Sequence, residues 1–179
     1  MSLTYYVIQV KTRGEDKYLS LAEQALKPLN IKLIWPRRSL RIRRRGRWRD
    51  VLSPIFPGYL FLEVEEINPE LYWILKKPPG FLRFLKNNHD IRPLPEPDAR
   101  ILVRLLSFGE VVNRSVATFD EGGRIRIIEG PLTGLEGLII KVDKRKGRAK
   151  VKLDLYDEFY HVDFGFRAIE KTEKKQKSD

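Results

Sequence analysis

Cysteine is absent from this chain and histidine occurs only at His89 and His161. Without thiols there is no disulfide framework, no thiol nucleophile and no cysteine-based zinc site, and two histidines do not make a histidine-rich metal centre. No apolar run approaches the ~20 residues needed to cross a bilayer, so no membrane span is expected. Residues 1–6 lack the basic-then-apolar order of a secretory signal, which points to a cytoplasmic protein. Gly130, Gly134 and Gly137 match no dinucleotide or phosphate-loop spacing, and no Ser/His/Asp or paired-carboxylate set stands out. Neither an enzyme nor a cofactor is expected. His89, beside Asn88 and Asp90, reads as a surface turn residue and His161 as a half-buried strand residue.

What the chain has in excess is positive charge. Its formal net charge is +11, with 35 Lys and Arg against 24 Asp and Glu. Residues 1–106 carry 20 bases and 11 acids, net +9, while residues 107–179 carry 15 and 13, net +2. Two local clusters are sharper than either sum. Arg37, Arg38, Arg41, Arg43, Arg44, Arg45, Arg47 and Arg49 fall in residues 37–49 with no acid among them, and residues 141–152 hold seven bases beside the single Asp143. Such clusters attract polyanions, most commonly phosphate backbones.

Hydrophobic content of 42% with 11% aromatics is enough for folded cores, and 179 residues suit two small domains. Residues 5–10 read as a strand, and Thr12 with Glu15 as a capping box opening a helix with Tyr18, Leu19, Ala22, Leu26 and Leu29 on one face. A second strand is expected from Ile31 through Leu40 and Ile42, turning at Arg45-Gly46 and returning through Trp48 as an arginine-studded ribbon. Pro57 and Gly58 force a sharp corner, flanked by Phe56 and Tyr59, before an apolar strand over residues 59–64. Those aromatics suit either a docking surface or plain core. Asn68-Pro69 caps a short helix, residues 81–85 form a strand, and Ile101, Leu102, Leu105 and Leu106 mark another helix. Four short strands over residues 124–128, 138–142, 149–155 and 160–164, separated by glycine and acidic turns, suggest a small barrel. The expected organisation is an α+β domain over residues 1–106, a linker over 107–121, a barrel over 122–171 and a polar, frayed tail over 172–179.

Two motifs together resemble one known family. Ile55-Phe56-Pro57-Gly58-Tyr59-Leu60 is similar to the Phe-Phe-Pro-Gly-Tyr core of the NusG N-terminal domain, and Tyr5-Tyr6-Val7-Ile8-Gln9 to its Trp-Tyr-Val-Val-Gln opening. Gly123-Arg124-Ile125-Arg126-Ile127, with Gly130-Pro131-Leu132 and Gly134-Leu135-Glu136-Gly137, resembles a KOW motif. The resemblance implies an α+β domain, an antiparallel sheet with flanking helices, that docks on the clamp helices of RNA polymerase through Tyr6, Phe56 and Tyr59. The KOW part would be an SH3-like barrel that recruits further partners, and the whole a monomer. Leu132 stands where the family's general member has phenylalanine, so its contacts with a ribosomal protein and the termination factor are not carried over. Glu70-Leu71-Tyr72-Trp73 likewise departs from the His-Thr-Thr-Thr run of the paralogue RfaH. The basic balance resembles LoaP, a specialised paralogue that antiterminates long operons by engaging an RNA hairpin.

Nucleic-acid contacts are expected from Arg43, Arg44, Arg45, Arg47 and Trp48 on the ribbon, facing upstream or non-template DNA. In the barrel they are expected from Lys144, Arg145, Lys146, Arg148 and Lys150, facing a leader hairpin. The expected function is a processive antiterminator. A general elongation factor without RNA-element specificity and a ribosome-associated KOW protein are the alternatives.

Overall fold

The computed structural model describes residues 4–170; the expected tail lies outside them. Strand β1 (Thr4–Val10) alternates, sending Tyr6, Ile8 and Val10 into one core and Val7 into another on the opposite face. Helix α1 (Glu15–Leu26) starts at Gly14 with no side-chain cap, so the expected capping box does not form. Glu15 is instead buried, and its Oε1 accepts from the Gly58 amide at 2.8 Å. The strand expected across residues 31–42 is broken at Pro36 into β2 (Leu33–Ile34) and β3 (Arg37–Arg44), because proline has no N–H to continue a ladder. β3 leaves the first sheet and pairs with β4 (Arg47–Pro54) in full register. Their tip is a two-residue turn with Arg45 at φ 51° and Gly46 at φ 77°, the all-positive pattern that matches strand twist.

The Phe56-Pro57-Gly58 corner leads into β5 (Tyr59–Val64). Helix α2 (Pro69–Lys76) begins as read from sequence, with Asn68 Oδ1 accepting from the Leu71 amide at 2.9 Å. Strand β6 (Phe81–Phe84) and helix α3 (Glu96–Leu106) follow. The resulting sheet is antiparallel in the order β2-β5-β1-β6. Tyr18, Ala22 and Leu26 of α1 and Leu71 and Leu75 of α2 cover its first face.

Residues 107–121, expected to link two domains, carry two strands. β7 (Val111–Val112) runs parallel to β3, and β8 (Ser115–Phe119) belongs to the all-β part. That part continues with β9 (Ile125–Glu129), β10 (Ile139–Asp143), β11 (Arg148–Leu155) and β12 (Glu158–Ala168), ordered β10-β11-β12-β8-β9. β8 pairs with β12 and β9, so the inter-domain chain supplies a central strand of the sheet. The fold is thus a helix-flanked antiparallel sheet followed by a β-rich KOW-like unit. One apolar cluster runs through both, from Val7, Phe61 and Leu105 to Val151, Leu153, Val162 and Phe164. No helix among the described residues is long and apolar enough to cross a membrane.

Candidate interaction surfaces

The aromatic corner is built from backbone constraints. Gly58 has φ +82°, and a Cβ there would lie 3.0 Å from Thr12 Oγ1 and 3.2 Å from the Val10 carbonyl oxygen, so only glycine fits both the torsion and the approach. Val10 donates its amide to the Gly58 carbonyl at 2.8 Å, and Glu15 holds the Gly58 amide. Phe56 and Tyr59 are therefore fixed beside Phe61 on the second face of the sheet; Phe56 lies 5.7 Å from Phe61, centroid to centroid. Tyr6 points the other way. It belongs to the core under α1 and α2, so the sheet separates it from Phe56 and Tyr59, with which the resemblance groups it.

Phe56 and Tyr59 are buried, at 3% and 7% exposure, and what covers them is β12. Tyr160 packs edge-on to both rings, at 5.7 Å and 90° from Phe56 and 5.9 Å and 77° from Tyr59. Its hydroxyl shares a 3.1 Å hydrogen bond with that of Tyr59, and Glu158 accepts from it at 3.1 Å. Burial, then these two neighbours, push the Tyr160 phenol above its ordinary range. The turn between β11 and β12 adds a second clasp: the Tyr156 amide donates to Asp98 Oδ2 at 2.8 Å and its hydroxyl to the Arg92 carbonyl at 2.7 Å. Arg104 of α3 closes the far side, its Nε donating to the Thr133 carbonyl at 2.6 Å. Leu132 is fully buried. Sequence reasoning singles out none of Tyr156, Tyr160 or Arg104; the aromatic content of an otherwise acidic hairpin turn at Tyr156 is the available signal.

The ribbon carries the first basic surface. Arg43 faces Trp48 and Arg44 faces Arg47 across the ladder, while Arg41 faces Asp50. The Arg41 guanidinium lies 5.5 Å from the Trp48 ring, which is itself 43% exposed. Arg44, Arg45, Arg47 and Arg49 surround one open depression. Among the described residues no carboxylate lies within ion-pair distance of these four or of Arg41 and Arg43.

The barrel's basic residues are divided. Lys144, Arg145 and Lys146 occupy the exposed β10–β11 turn, where Lys144 lies 4.2 Å from the Phe119 ring centroid and Lys146 lies 4.0 Å from Asp143. Arg148 and Lys150 belong to β11 and flank Asp163 at 3.8 and 3.9 Å. Arg148 also reaches the Arg41 carbonyl at 3.5 Å, and Arg38 donates to the Asp163 carbonyl, so this end of β11 lies against the ribbon. Burial, reinforced by Arg148, lowers the Arg38 guanidinium to about 10 against the pull of Asp163. His161 is exposed on β12, not half-buried as read from sequence, because it sits on the outward side of the alternation. No cluster of metal-binding side chains occurs among the described residues.

A family model described as transcription termination factor nusG matches residues 3–103, more than half of the chain. The chain belongs to the NusG family. Relatives span it almost end to end: the NusG transcription termination/antitermination protein of Borreliella burgdorferi is 28% identical, covering 96% of this chain and all of its own length. That of Thermus thermophilus is 24% identical with the same coverage. The Pasteurella multocida protein is 32% identical over 71% of this chain and 69% of its own. Among solved structures, one of Thermotoga maritima NusG, reported for its domain interaction, shares the fold with a TM-score of 0.56 at 23% identity, covering 92% of this chain and 94% of that one. NusG-family proteins are transcription factors, not enzymes.

Proposed function

We propose that this NusG-family protein is a processive antiterminator of the LoaP kind, which binds RNA polymerase through Phe56 and Tyr59, with Tyr6 buried on the other face of the sheet and outside that surface, and nucleic acid through its basic surfaces. The observation that carries the reading is the ribbon: six arginines from Arg41 to Arg49 without an ion-pair partner among the described residues, projecting beside an exposed tryptophan. Guanidinium groups fork onto phosphates and stack on bases, so this element suits a strand or hairpin better than a solvated face would require. The Lys144-Arg145-Lys146 turn supplies a second contact with RNA. Polymerase docking draws on the rigid corner, since buried aromatic anchors dominate interface energies.

In the docked arrangement Tyr160 occupies that corner, so polymerase must displace the barrel. The clamp surface and β12 compete for the same two rings, and polymerase binding is weakened by whatever fraction of the chain is closed. RNA still held by one domain after opening would keep the factor at high local concentration near the enzyme.

The test is a gel shift of the full chain on hairpins from the leader nearest its own gene, over a salt series, beside Lys144→Ala/Arg145→Ala/Lys146→Ala and Arg43→Ala/Arg45→Ala/Arg47→Ala variants. A terminator read-through assay with purified polymerase runs alongside. Hairpin-selective binding, abolished in the variants together with read-through, is the expected result. A general elongation factor is the second reading, favoured by end-to-end similarity to general NusG proteins. It predicts equal binding to every RNA and unchanged read-through when the turn is neutralised.

A further inference from the structure

Docking does more than cover the corner. It brings the two basic elements into one surface. The Arg148 guanidinium touches the ribbon backbone at the Arg41 carbonyl, 3.5 Å away. From that contact the ribbon runs outward to Arg45, about 13 Å at ~3.3 Å per strand residue. Arg148 also lines a depression of about 120 Å³ together with Lys141, Asp143, Lys146, Lys150 and Asp163. Lys141 and Lys150 are opposite one another in the β10–β11 ladder, so both ammonium groups share its outward face.

The seam is electrostatically incomplete. Arg38, Arg148 and Lys150 converge on Asp163, but Arg38 reaches only its backbone carbonyl, and the carboxylate serves the other two at 3.8 and 3.9 Å. Among the described residues the buried Nε atom of Arg148 has no hydrogen-bond partner. Closing the domains therefore presses like charges together with one carboxylate between them, a repulsion that a polyanion lying across the seam would relieve.

We propose that the ribbon and the β10–β11 face form a single phosphodiester-binding surface that exists only in the docked arrangement, so that one nucleic-acid backbone spanning Arg45 to Lys141 holds the two domains closed. The proposal rests on the nucleic-acid binding argued above and adds its geometry and its sign. A backbone carrying one charge per ~3.4 Å along each strand of a duplex presents several phosphates over this span. Because polymerase requires the open form, nucleic acid on the composite surface and polymerase on the corner oppose one another, by the same factor in each direction. Capture and polymerase docking are then successive steps, the strand being released from one domain as the corner is uncovered.

The absence of cysteine makes the test direct. Gln24→Cys on α1 and Glu129→Cys on β9, both exposed, carry a donor and an acceptor on the full chain, and energy transfer is followed while an RNA hairpin, a single-stranded RNA or a DNA duplex of matched length is added. Binding with transfer held or raised, in a chain part-opened by Tyr160→Ala, is the expected result. That variant should also bind about tenfold more weakly than the parent. Arg44→Ala/Arg45→Ala/Arg47→Ala and Lys141→Ala/Lys150→Ala should each lower the salt slope, by ~0.9 for every duplex phosphate the variant no longer neutralises, or ~0.7 on single strands. Nucleic acid that binds while transfer falls or stays at the open value, or binds Tyr160→Ala as tightly as the parent, overturns the composite surface and leaves the two basic elements acting separately. No binding of any of the three overturns the nucleic-acid reading itself. The relative response of the three probes identifies whether RNA or DNA supplies the phosphates.

Discussion

Glu15 Oε1 accepts the Gly58 amide at 2.8 Å, which ties the first turn of α1 to the corner that carries Phe56 and Tyr59. The carboxylate is 3% exposed, so it is retained there for that bond and not for solubility. Glu15→Ala leaves a buried N–H unpaired and should cost about 2 kcal/mol, whereas Glu15→Gln keeps an acceptor oxygen and should cost less. Urea unfolding of the full chain measures both, and equal losses for the two variants would mean that an acceptor oxygen at this position does not stabilise the corner.

Tyr160 should be the main clasp between the domains. Its two edge-on ring pairs are each worth ~0.5–1.5 kcal/mol beyond simple burial, so Tyr160→Ala should open the chain while each domain stays folded. Amide hydrogen exchange measures this: protection at the corner falls while protection in α1 and β11 holds. Tyr160→Phe, which keeps the ring and removes the shared hydroxyl bond, should open it less, by about 1 kcal/mol.

Docking should also weaken in alkali. Burial, Tyr59 and Glu158 raise the Tyr160 phenol above its ordinary 10.0, and burial, Asp98 and Tyr6 raise that of Tyr156. A raised value in the docked form means that the neutral phenol favours docking, a contribution fully present below pH 10 and lost as pH climbs through the raised values. Arg38 acts in the opposite sense, because losing its proton above about 10 relieves a burial penalty. With two phenols against one guanidinium, the distance between labels on the two domains should increase from about pH 8 to about pH 11. The increase should be smaller in Tyr160→Phe, and an identical pH response in that variant would remove Tyr160 from the account.

These interactions mark the boundary of what the residues disclose in one dimension. The Asn68-Pro69 cap, the Arg45-Gly46 turn, α3 and four of the five barrel strands follow from local chemistry, since each is specified by torsional preference or apolar period within a few residues. Glu15 reads as half of a capping box because a residue three positions after Thr12 has a local partner in principle, whereas its actual partner, Gly58, is a tertiary neighbour. β8 hides in the expected linker because a strand that pairs with distant β12 has no hairpin turn to announce it. The corner aromatics read from sequence as either docking surface or core, and nothing local tells that Tyr160 covers them: an inter-domain contact leaves no periodic trace. The split between Tyr6 and Tyr59 follows from antiparallel register, with Tyr6 opposite Leu62, which only the paired strand reveals.

The Asn68 cap offers a control on stability unconnected with binding. Its side chain satisfies one of the orphan amides of α2, so Asn68→Ala should cost about 1 kcal/mol and leave nucleic-acid affinity untouched. A loss of binding along with stability would show that variants elsewhere act by general unfolding.

Trp48 provides the most direct optical reading of the ribbon. It is 43% exposed and lies opposite Arg43, with the Arg41 guanidinium 5.5 Å from its ring centroid, so one indole face remains open to a base. Stacking of a base on an aromatic ring is worth ~1–3 kcal/mol and quenches indole emission. Trp73, at 64% exposure on α2, lies outside both basic surfaces, and Trp35 is only partly exposed at the end of β2. A Trp35→Phe/Trp73→Phe chain that keeps Trp48 alone should therefore lose emission on adding single-stranded RNA, and recover it as salt releases the strand. The complementary Trp35→Phe/Trp48→Phe chain should show no change. Trp48→Ala should weaken binding by about tenfold, near the lower end of the stacking range. Quenching confined to Trp73 would place the nucleic acid on the α2 face and take the ribbon out of the proposed interface.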